Sequence, residues 1–597
     1  MFLPTTREEL DRLGWGRPDV IIISGDTYID SPYIGAAVIG KVLQNAGYRV
    51  GIIAQPDTES AADITRLGEP RLFWGITSGN VDSMVANYTA SKKRRRQDDF
   101  TPGGVNERRP DRSLIVYTNL VRRYFKNTKP IVLGGIEASL RRIAHYDYWD
   151  DSVRRSVLFD AKADLIVYGM GEGTVLELAR KLAEGAPVQS IRGICYSAAE
   201  PPTGYLELPS YDDVKTDQNK LLKMFHLFYN NSDPATAKGL VQLYDGRYLV
   251  QNPPALYLTG DELSAVHDLD YERDVHPFYK KSGEVRALDT IRFSINTHRG
   301  CYGECNFCSI AVHQGRTIRS RSEESILAEA RTLTKLPDFK GYILDLGGPT
   351  ANMYGIECQN KLTQGSCSGK RCLHPDVCQN LMVSHVGQIE LLKKIRKIPG
   401  IKKVFVASGI RYDLILNDRK FGPAYLDEIV KHHISGQMKI APEHTEEKVL
   451  KLMGKPGSKK LRAFKDLFDK LNRKTGKQQF LTYYLIAAHP GCDRKDMLKL
   501  KEFASKELQL RPEQVQIFTP LPSTYSALMY YTGKNPFTGE KLFVEKDLRR
   551  KEEQKHLLVS GKKNARSGPA AKRRKAAGKA NKNRVNQKSH PNGGPGL

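Results

Sequence analysis

Apolar residues along the chain recur in short blocks separated by stretches of helical periodicity, and this happens twice. In the first half the blocks are Asp19–Ser24 (DVIIIS), Arg49–Ala54 (RVGIIA), Arg71–Ile76, Pro130–Leu133 and Asp164–Tyr168. They are too short and too rich in β-branched residues for helices, so they predict buried strands. The segment Pro32–Ala46 has helical spacing and stops at Gly47. Strands alternating with helices imply a parallel sheet with right-handed crossovers, so residues 1–210 are expected to form an α/β domain. Ser91–Asp111 is polar, breaks the pattern and predicts an exposed insertion. Residues 211–285 are less regular: a helix over Asp217–Tyr229, an Asn/Asp/Pro-rich turn, and otherwise a connector. Alternation resumes over residues 286–525, with strands expected at Ile291–Asn296, Gly341–Leu346, Lys403–Ala407, Gln437–Ile440, Phe480–Ile486 and Gln514–Phe518. Six such units suit a partial (β/α)6 barrel, whose chemistry sits on loops at the C-terminal strand ends. Arg511–Gly539 is expected to close it. A closing segment (526–558) with a helix at Lys541–Lys555 and a tail (559–597) follow.

Charge changes the picture only at the end of the chain. The net charge is +26, but Leu548–Leu597 holds fifteen Lys/Arg and two acids, half of that excess. A Lys/Arg/Gly/Ala/Asn/Pro composition buries too little apolar surface to offset ordering entropy, so this tail is expected to be disordered, with RNA association through it as the functional reading and solubilisation as the bland one. No apolar run approaches the roughly 18–20 residues of a membrane span. The N-terminus lacks a basic region followed by an apolar one. A cytoplasmic protein without membrane contact is expected.

Nine cysteines are present, seven of them between Cys301 and Cys378. Such clustering favours metal ligation over a disulfide framework. The sharpest motif is RGCYGECNFCS, Arg299–Ser309, directly after the first expected barrel strand. Its x3/x2 spacing folds Cys301, Cys305 and Cys308 closely enough to ligate a [4Fe–4S] cluster, with Gly300 and Gly303 allowing the tight turns. Three ligands leave one iron open, suited to the amino and carboxylate groups of S-adenosylmethionine (SAM). The competing reading is a Cys3His zinc site completed by His298 or His313.

The motif is that of the radical SAM superfamily, and over roughly residues 1–560 the chain resembles the YgiQ family of radical SAM proteins. The resemblance rests on residues 19–57, 131–156, the cysteine loop and TPLPSTYSALMYYTGKNPFTGE at 519–540. It implies reductive cleavage of SAM to a 5′-deoxyadenosyl radical, and an electron donor such as a flavodoxin or ferredoxin as partner. Gly347 and Gly348 stand where a Gly-Gly-Glu motif offers backbone carbonyls to the SAM ammonium. Pro349 replaces its Glu, so only the backbone role carries over. Ser408, Arg411 and Glu443, each after a barrel strand, are candidates for SAM or substrate contact, with an Arg411–Glu443 ion pair as the alternative. Phe307 and His489-Pro490-Gly491 fall near the expected adenine position. An RNA- or protein-modifying methyltransferase or methylthiotransferase is the alternative within this class, and a zinc-dependent nucleic-acid-binding module the alternative outside it.

Two further features stay open. Cys358, Cys367, Cys372 and Cys378, at x8, x4 and x5 spacing in one polar loop, suit a second metal centre, zinc or iron–sulfur. Gly134, Gly135, Gly169 and Gly171 follow strands as in the Rossmann-like, cobalamin-binding domains that precede many radical SAM barrels. The axial-histidine signature is missing, since Gly25–Asp30 reads GDTYID. A Rossmann-like scaffold without cobalamin is therefore the favoured reading.

Overall fold

The five apolar blocks of the first half become strands β1 Val20–Ser24, β2 Val50–Ala54, β3 Phe73–Thr77, β4 Ile131–Gly134 and β5 Leu165–Val167. A computed structural model describes residues 1–559 other than Ser368, Lys370, Arg511, Glu513 and Gln514; the expected tail and the start of the last expected strand lie outside the described residues. The five strands are parallel and lie in the order 2-1-3-4-5. Every residue of β1 and β2 is buried, which explains why these strands read as continuous apolar runs rather than alternating ones.

The sheet does not end where the first domain is expected to. Ile194–Ala198 (β6) adds antiparallel to β5, and the hairpin Leu240–Tyr244 (β8) and Arg247–Gln251 (β9) adds to β6, with Leu206–Glu207 (β7) at the edge. The hairpin of the expected connector is therefore part of a nine-stranded mixed sheet. The hairpin turns on Asp245-Gly246, both at positive φ, between LVQLY and RYLVQ. An Asp-Gly pair flanked by apolar alternation is a strong short-range hairpin signal.

The insertion is only partly exposed. Lys93, Arg94, Arg95 and Arg96 face solvent, as expected, but Arg109 is fully buried and anchors the segment. Its guanidinium lies 2.7 Å from Asp26 and 3.0 Å from Asp98 and donates to the Ser78 carbonyl. An arginine that satisfies two buried carboxylates ties the loop over the ends of β1 and β3.

In the second half the strands are Ser294–Asn296 (β10), Tyr342–Ile343 (β11), Asp345–Gly347 (β12), Lys403–Val404 (β13), Gln437–Glu443 (β14), Phe480–Ala487 (β15) and Val515–Ile517 (β16). All pairings among them are parallel: β10 with β12, β11 with β13, β14 with β15, β15 with β16, and a bridge from Ile410 to Ile440. Helices such as Glu323–Leu333, Val386–Arg396 and Ser458–Lys474 follow successive strands and bury their apolar faces in one core with Ile295, Leu346, Met438 and Leu485. The first strand starts later than expected because Ala287–Ile291 is helical, and Ile291 packs on the core of the preceding domain. The last helix runs over Leu548–Val559 rather than Lys541–Lys555. Asp547 accepts from the Arg550 amide at 2.9 Å and starts it there. No helix among the described residues is long and apolar enough to cross a membrane.

Candidate functional site

The residues after β10 are held on both sides before the cysteine loop begins. Thr297 donates its amide and hydroxyl to the Gly347 carbonyl, at 2.7 and 3.1 Å, and Arg299 pairs with Glu172 of the N-terminal domain. Gly300 sits at φ +83, where a Cβ would lie 2.2 Å from the Thr317 carbonyl oxygen, so no other residue fits. Cys301 Sγ is 3.4 Å from Thr350 Oγ1 and accepts from the Gly303 amide at 3.3 Å. A Cβ on Gly303 would stand 3.2 Å from Cys301 Sγ, 3.6 Å from Cys305 Sγ and 3.0 Å from Arg411 Nη1. Glycine thus leaves open a hollow lined by two sulfurs and a guanidinium.

Burial raises the Cys301 thiol and pushes that of Cys308 up to about 12, with Cys305 and Cys301 adding to the effect on Cys308. The three thiols therefore share one pocket. Among the described residues no three His, Cys, Asp or Glu side chains converge on a point that a single ion could occupy. A zinc ion needs its sulfurs about 2.3 Å from a shared centre, whereas in a cubane each thiolate binds its own iron at a separate corner. Of the two histidines considered for a zinc site, His298 engages Thr297 Oγ1 through Nδ1 at 2.8 Å and has a buried Nε2 without a partner among the described residues, and His313 Nδ1 lies 3.0 Å from Ser139 Oγ.

The other candidates line the same end of the strands, with partners that sequence reasoning missed. A Cβ on Gly347 would meet that of Ser408 at 3.6 Å, and Gly348 lies against the His298 ring, where a Cβ would be 2.6 Å from Cε1. The Ser408 hydroxyl and amide both donate to Asp345 of β12, so this hydroxyl is committed within the protein. Arg411 does not pair with Glu443. It makes a bidentate bond to Asp413, at 2.8 and 2.7 Å, and its Nη1 lies 3.9 Å from Cys305 Sγ. Glu443 faces Lys455 at 3.5 Å instead and sits at φ +67, a costly backbone for a non-glycine residue. Burial raises its carboxyl. Phe307 meets His489 edge-on at 6.4 Å, and His489 Nε2 bonds Ser526 Oγ at 2.7 Å. Asp345 carried a legible signal, an acid inside the apolar run YILDL; Asp413 and Lys455 carried none.

The second cysteine loop packs onto the first. The Cys358 amide donates to Tyr302 Oη at 3.1 Å, and Lys361 reaches Glu304 at 3.3 Å. Arg371 donates to the Glu304 carbonyl at 3.0 Å. Cys358 and Cys372 are buried and Cys378 half-buried in a small apolar cluster that adjoins Cys301, while Cys367 is exposed.

Family models match this chain along most of its length: "Radical SAM N-terminal" over residues 2–294 and "Radical SAM superfamily" over 295–504. A UPF0313 protein of Fusobacterium nucleatum subsp. nucleatum is 59% identical over 564 residues, covering 94% of this chain and 99% of that protein. One of Thermotoga maritima is 50% identical over 566 residues, covering 94% and 99%. The chain belongs to the UPF0313 family of radical SAM proteins. The YgiQ resemblance read from the sequence agrees, and membership of the superfamily implies an enzyme that uses a [4Fe–4S] cluster and SAM. Among solved structures, a radical SAM methyltransferase from Kitasatospora setae superposes with a TM-score of 0.49 at 14% identity, covering 85% of this chain and 76% of that one.

In this UPF0313 protein two of the four glycines considered for cobalamin sit close against side chains of their own domain. Gly135 lies against Thr77 and Gly171 against Val167. In an open α/β sheet of order 2-1-3-4-5, ligands bind where the strand order reverses, outside the ends of β1 and β3. The buried Arg109–Asp26–Asp98 group lies beside those strand ends.

Proposed function

We propose that this chain cleaves SAM reductively, using Cys301, Cys305 and Cys308 as the three ligands of a [4Fe–4S] cluster at the mouth of a partial (β/α)6 barrel preceded by a Rossmann-like domain. The observation that carries the proposal is the hollow over Gly303, where Cys301 and Cys305 sulfurs converge beside Arg411. When bound, the cluster supplies the electron that breaks a carbon–sulfur bond of SAM, leaving a 5′-deoxyadenosyl radical.

The residues of the chain have separable roles in this reading. Thr350 and the Gly303 amide orient the Cys301 sulfur. Arg411, fixed by Asp413, places a guanidinium beside Cys305 that favours its thiolate. Gly347 and Gly348 offer backbone next to the cysteine loop, the position expected for the SAM ammonium. Ser408 acts as a strut for Asp345. Glu443, held at a strained backbone position with Lys455, and the Phe307–His489 pair complete the surround. An electron donor such as a flavodoxin or ferredoxin is the expected partner, in the cytoplasm. The substrate distinguishes hydrogen abstraction from methyl or methylthio transfer.

Metal analysis tests the first step. Anaerobically reconstituted protein is expected to be brown and to hold about four irons on these ligands. Colourless, zinc-loaded protein would instead support the nucleic-acid-binding reading.

A second reading concerns Cys358, Cys367, Cys372 and Cys378. Cys358, Cys372 and Cys378 pack in one small apolar cluster beside Cys301, with Cys367 exposed in the same loop, and this common placement is what supports the reading. Replacing all four by Ala is expected to lower bound zinc, or iron if the centre is a cluster, while iron on the first three ligands stays. Unchanged zinc and iron would show that they only wall the site.

A further inference from the structure

Behind the cysteine loop, where it meets the N-terminal domain, lies a partly open cavity of about 70 Å³. Its walls are Tyr168–Met170 after β5, the segment 254–258, and the helix Ile310–His313 that follows Cys308. Arg142, Arg299 and Arg319 line it together with His313, and its lining contains no Asp or Glu.

Arg142 is the unusual member. It is 1% exposed and sandwiched between the rings of Tyr168 and Phe228, with each centroid 4.4 Å from its guanidinium carbon. Its Nε donates to Gln251 at 3.0 Å and its Nη1 to the Ser139 carbonyl. It pairs with no carboxylate among the described residues, and burial lowers it from the ordinary arginine value. The other fully buried arginines that hold the fold here have acids: Arg109 has Asp26 and Asp98, and Arg321 has Glu329. Among the described residues the Arg319 side chain likewise has only the Leu258 carbonyl, at 2.8 Å. Arg299 is neutralised by Glu172. The hydroxyls of Tyr257 and Thr317, both on the cavity lining, are buried beside each other.

A buried cation without a counter-charge is costly, and two aromatic faces offset about 2 kcal/mol or more of that when desolvated. What the cavity presents is two guanidiniums with no carboxylate partner among the described residues, beside two buried hydroxyls. Guanidinium forks match phosphate and carboxylate oxygens. We propose that this interdomain cavity binds the phosphate or carboxylate group of a small molecule, with Arg142 and Arg319 as its anchors. A water position needs roughly 10–15 Å³ of such volume, so the cavity has room for an anionic head group, and the remainder of the ligand would extend through the open side. The site is distinct from the cysteine hollow and does not depend on cluster chemistry.

The test uses the full chain, with sodium phosphate and sodium acetate as probes and sodium chloride at matched ionic strength as control, read by thermal unfolding and isothermal calorimetry. Phosphate, acetate or both should raise the unfolding temperature saturably beyond chloride, and the more effective anion identifies the head group. Arg319→Gln should weaken that binding about tenfold or more, the scale of one lost charge-assisted bond, and Arg142→Gln should abolish it. If Arg142→Gln fails to fold, Arg319→Gln decides alone, because its side chain is half-exposed and its hydrogen bond goes to a backbone carbonyl. A wild-type response no greater than chloride's overturns the proposal. So does binding that survives at full strength in Arg319→Gln, which would place the anion on another basic surface.

Discussion

At the scale of single residues, the site depends on what glycine omits and on which acid holds each base. Gly303→Ala would set a methyl 3.2 Å from Cys301 Sγ and 3.0 Å from Arg411 Nη1. The fold should survive, because the loop backbone at this position is not left-handed. Bound iron after reconstitution should fall well below wild type, and circular dichroism alongside iron assay checks this. Equal iron would show that the hollow is not where the sulfurs work. Arg411→Met leaves Asp413 buried without its partner. Loss of one member of a buried pair costs about 3–5 kcal/mol, so its chemical denaturation midpoint should drop sharply. A midpoint within error of wild type would contradict the pairing. These roles are only partly legible in the sequence. Cys301, Cys305 and Cys308 announce themselves by spacing. The partner of Arg411 does not, because Asp413 and Glu443 are equally acidic and only the backbone path decides which carboxylate reaches the guanidinium.

At the scale of elements, burial determines what can be read. β1 and β2 are enclosed on both faces and show as apolar runs, whereas β14 and β15 are buried at alternate positions and β13 contracts to Lys403–Val404. The hairpin β8–β9 escapes the sequence reading, although its Asp245-Gly246 turn and flanking alternation are present, because the surrounding stretch lacks strand–helix alternation. The terminal helix is displaced because its start depends on Asp547 as a cap rather than on apolar periodicity. This helix carries its own testable feature. Lys551 is buried beside the hydroxyls of Tyr148 and Tyr530, at 3.3 and 2.8 Å, and burial pushes its ammonium down to about 8. The unfolded chain holds that proton up to about 10.4, so between these values the unfolded state binds more protons and stability rises with pH. Relative to Lys551→Met, the wild type should gain stability from about pH 8 to about pH 10.4 and show no trend below pH 8. Parallel stability curves would mean that Lys551 titrates normally.

At the scale of the whole molecule, the N-terminal domain and the radical SAM domain meet at the cysteine loop. Arg299 pairs with Glu172, His313 with Ser139 and Glu304 with Tyr229, while Ser523 of the closing segment donates to the Leu140 carbonyl. The site is thus built from both halves, something no local motif could reveal. The basic segment 560–597 has no core-forming pattern, so removing it should leave the unfolding temperature and SAM cleavage unchanged, and should weaken any RNA association and flatten its salt dependence. Loss of soluble, iron-loaded protein on truncation would contradict that. If three thiols support reductive SAM cleavage, 5′-deoxyadenosine should form with reduced, anaerobically reconstituted wild-type protein and with none of its Cys301→Ala, Cys305→Ala and Cys308→Ala variants. Full product from the Cys305→Ala protein would contradict the role of these thiols.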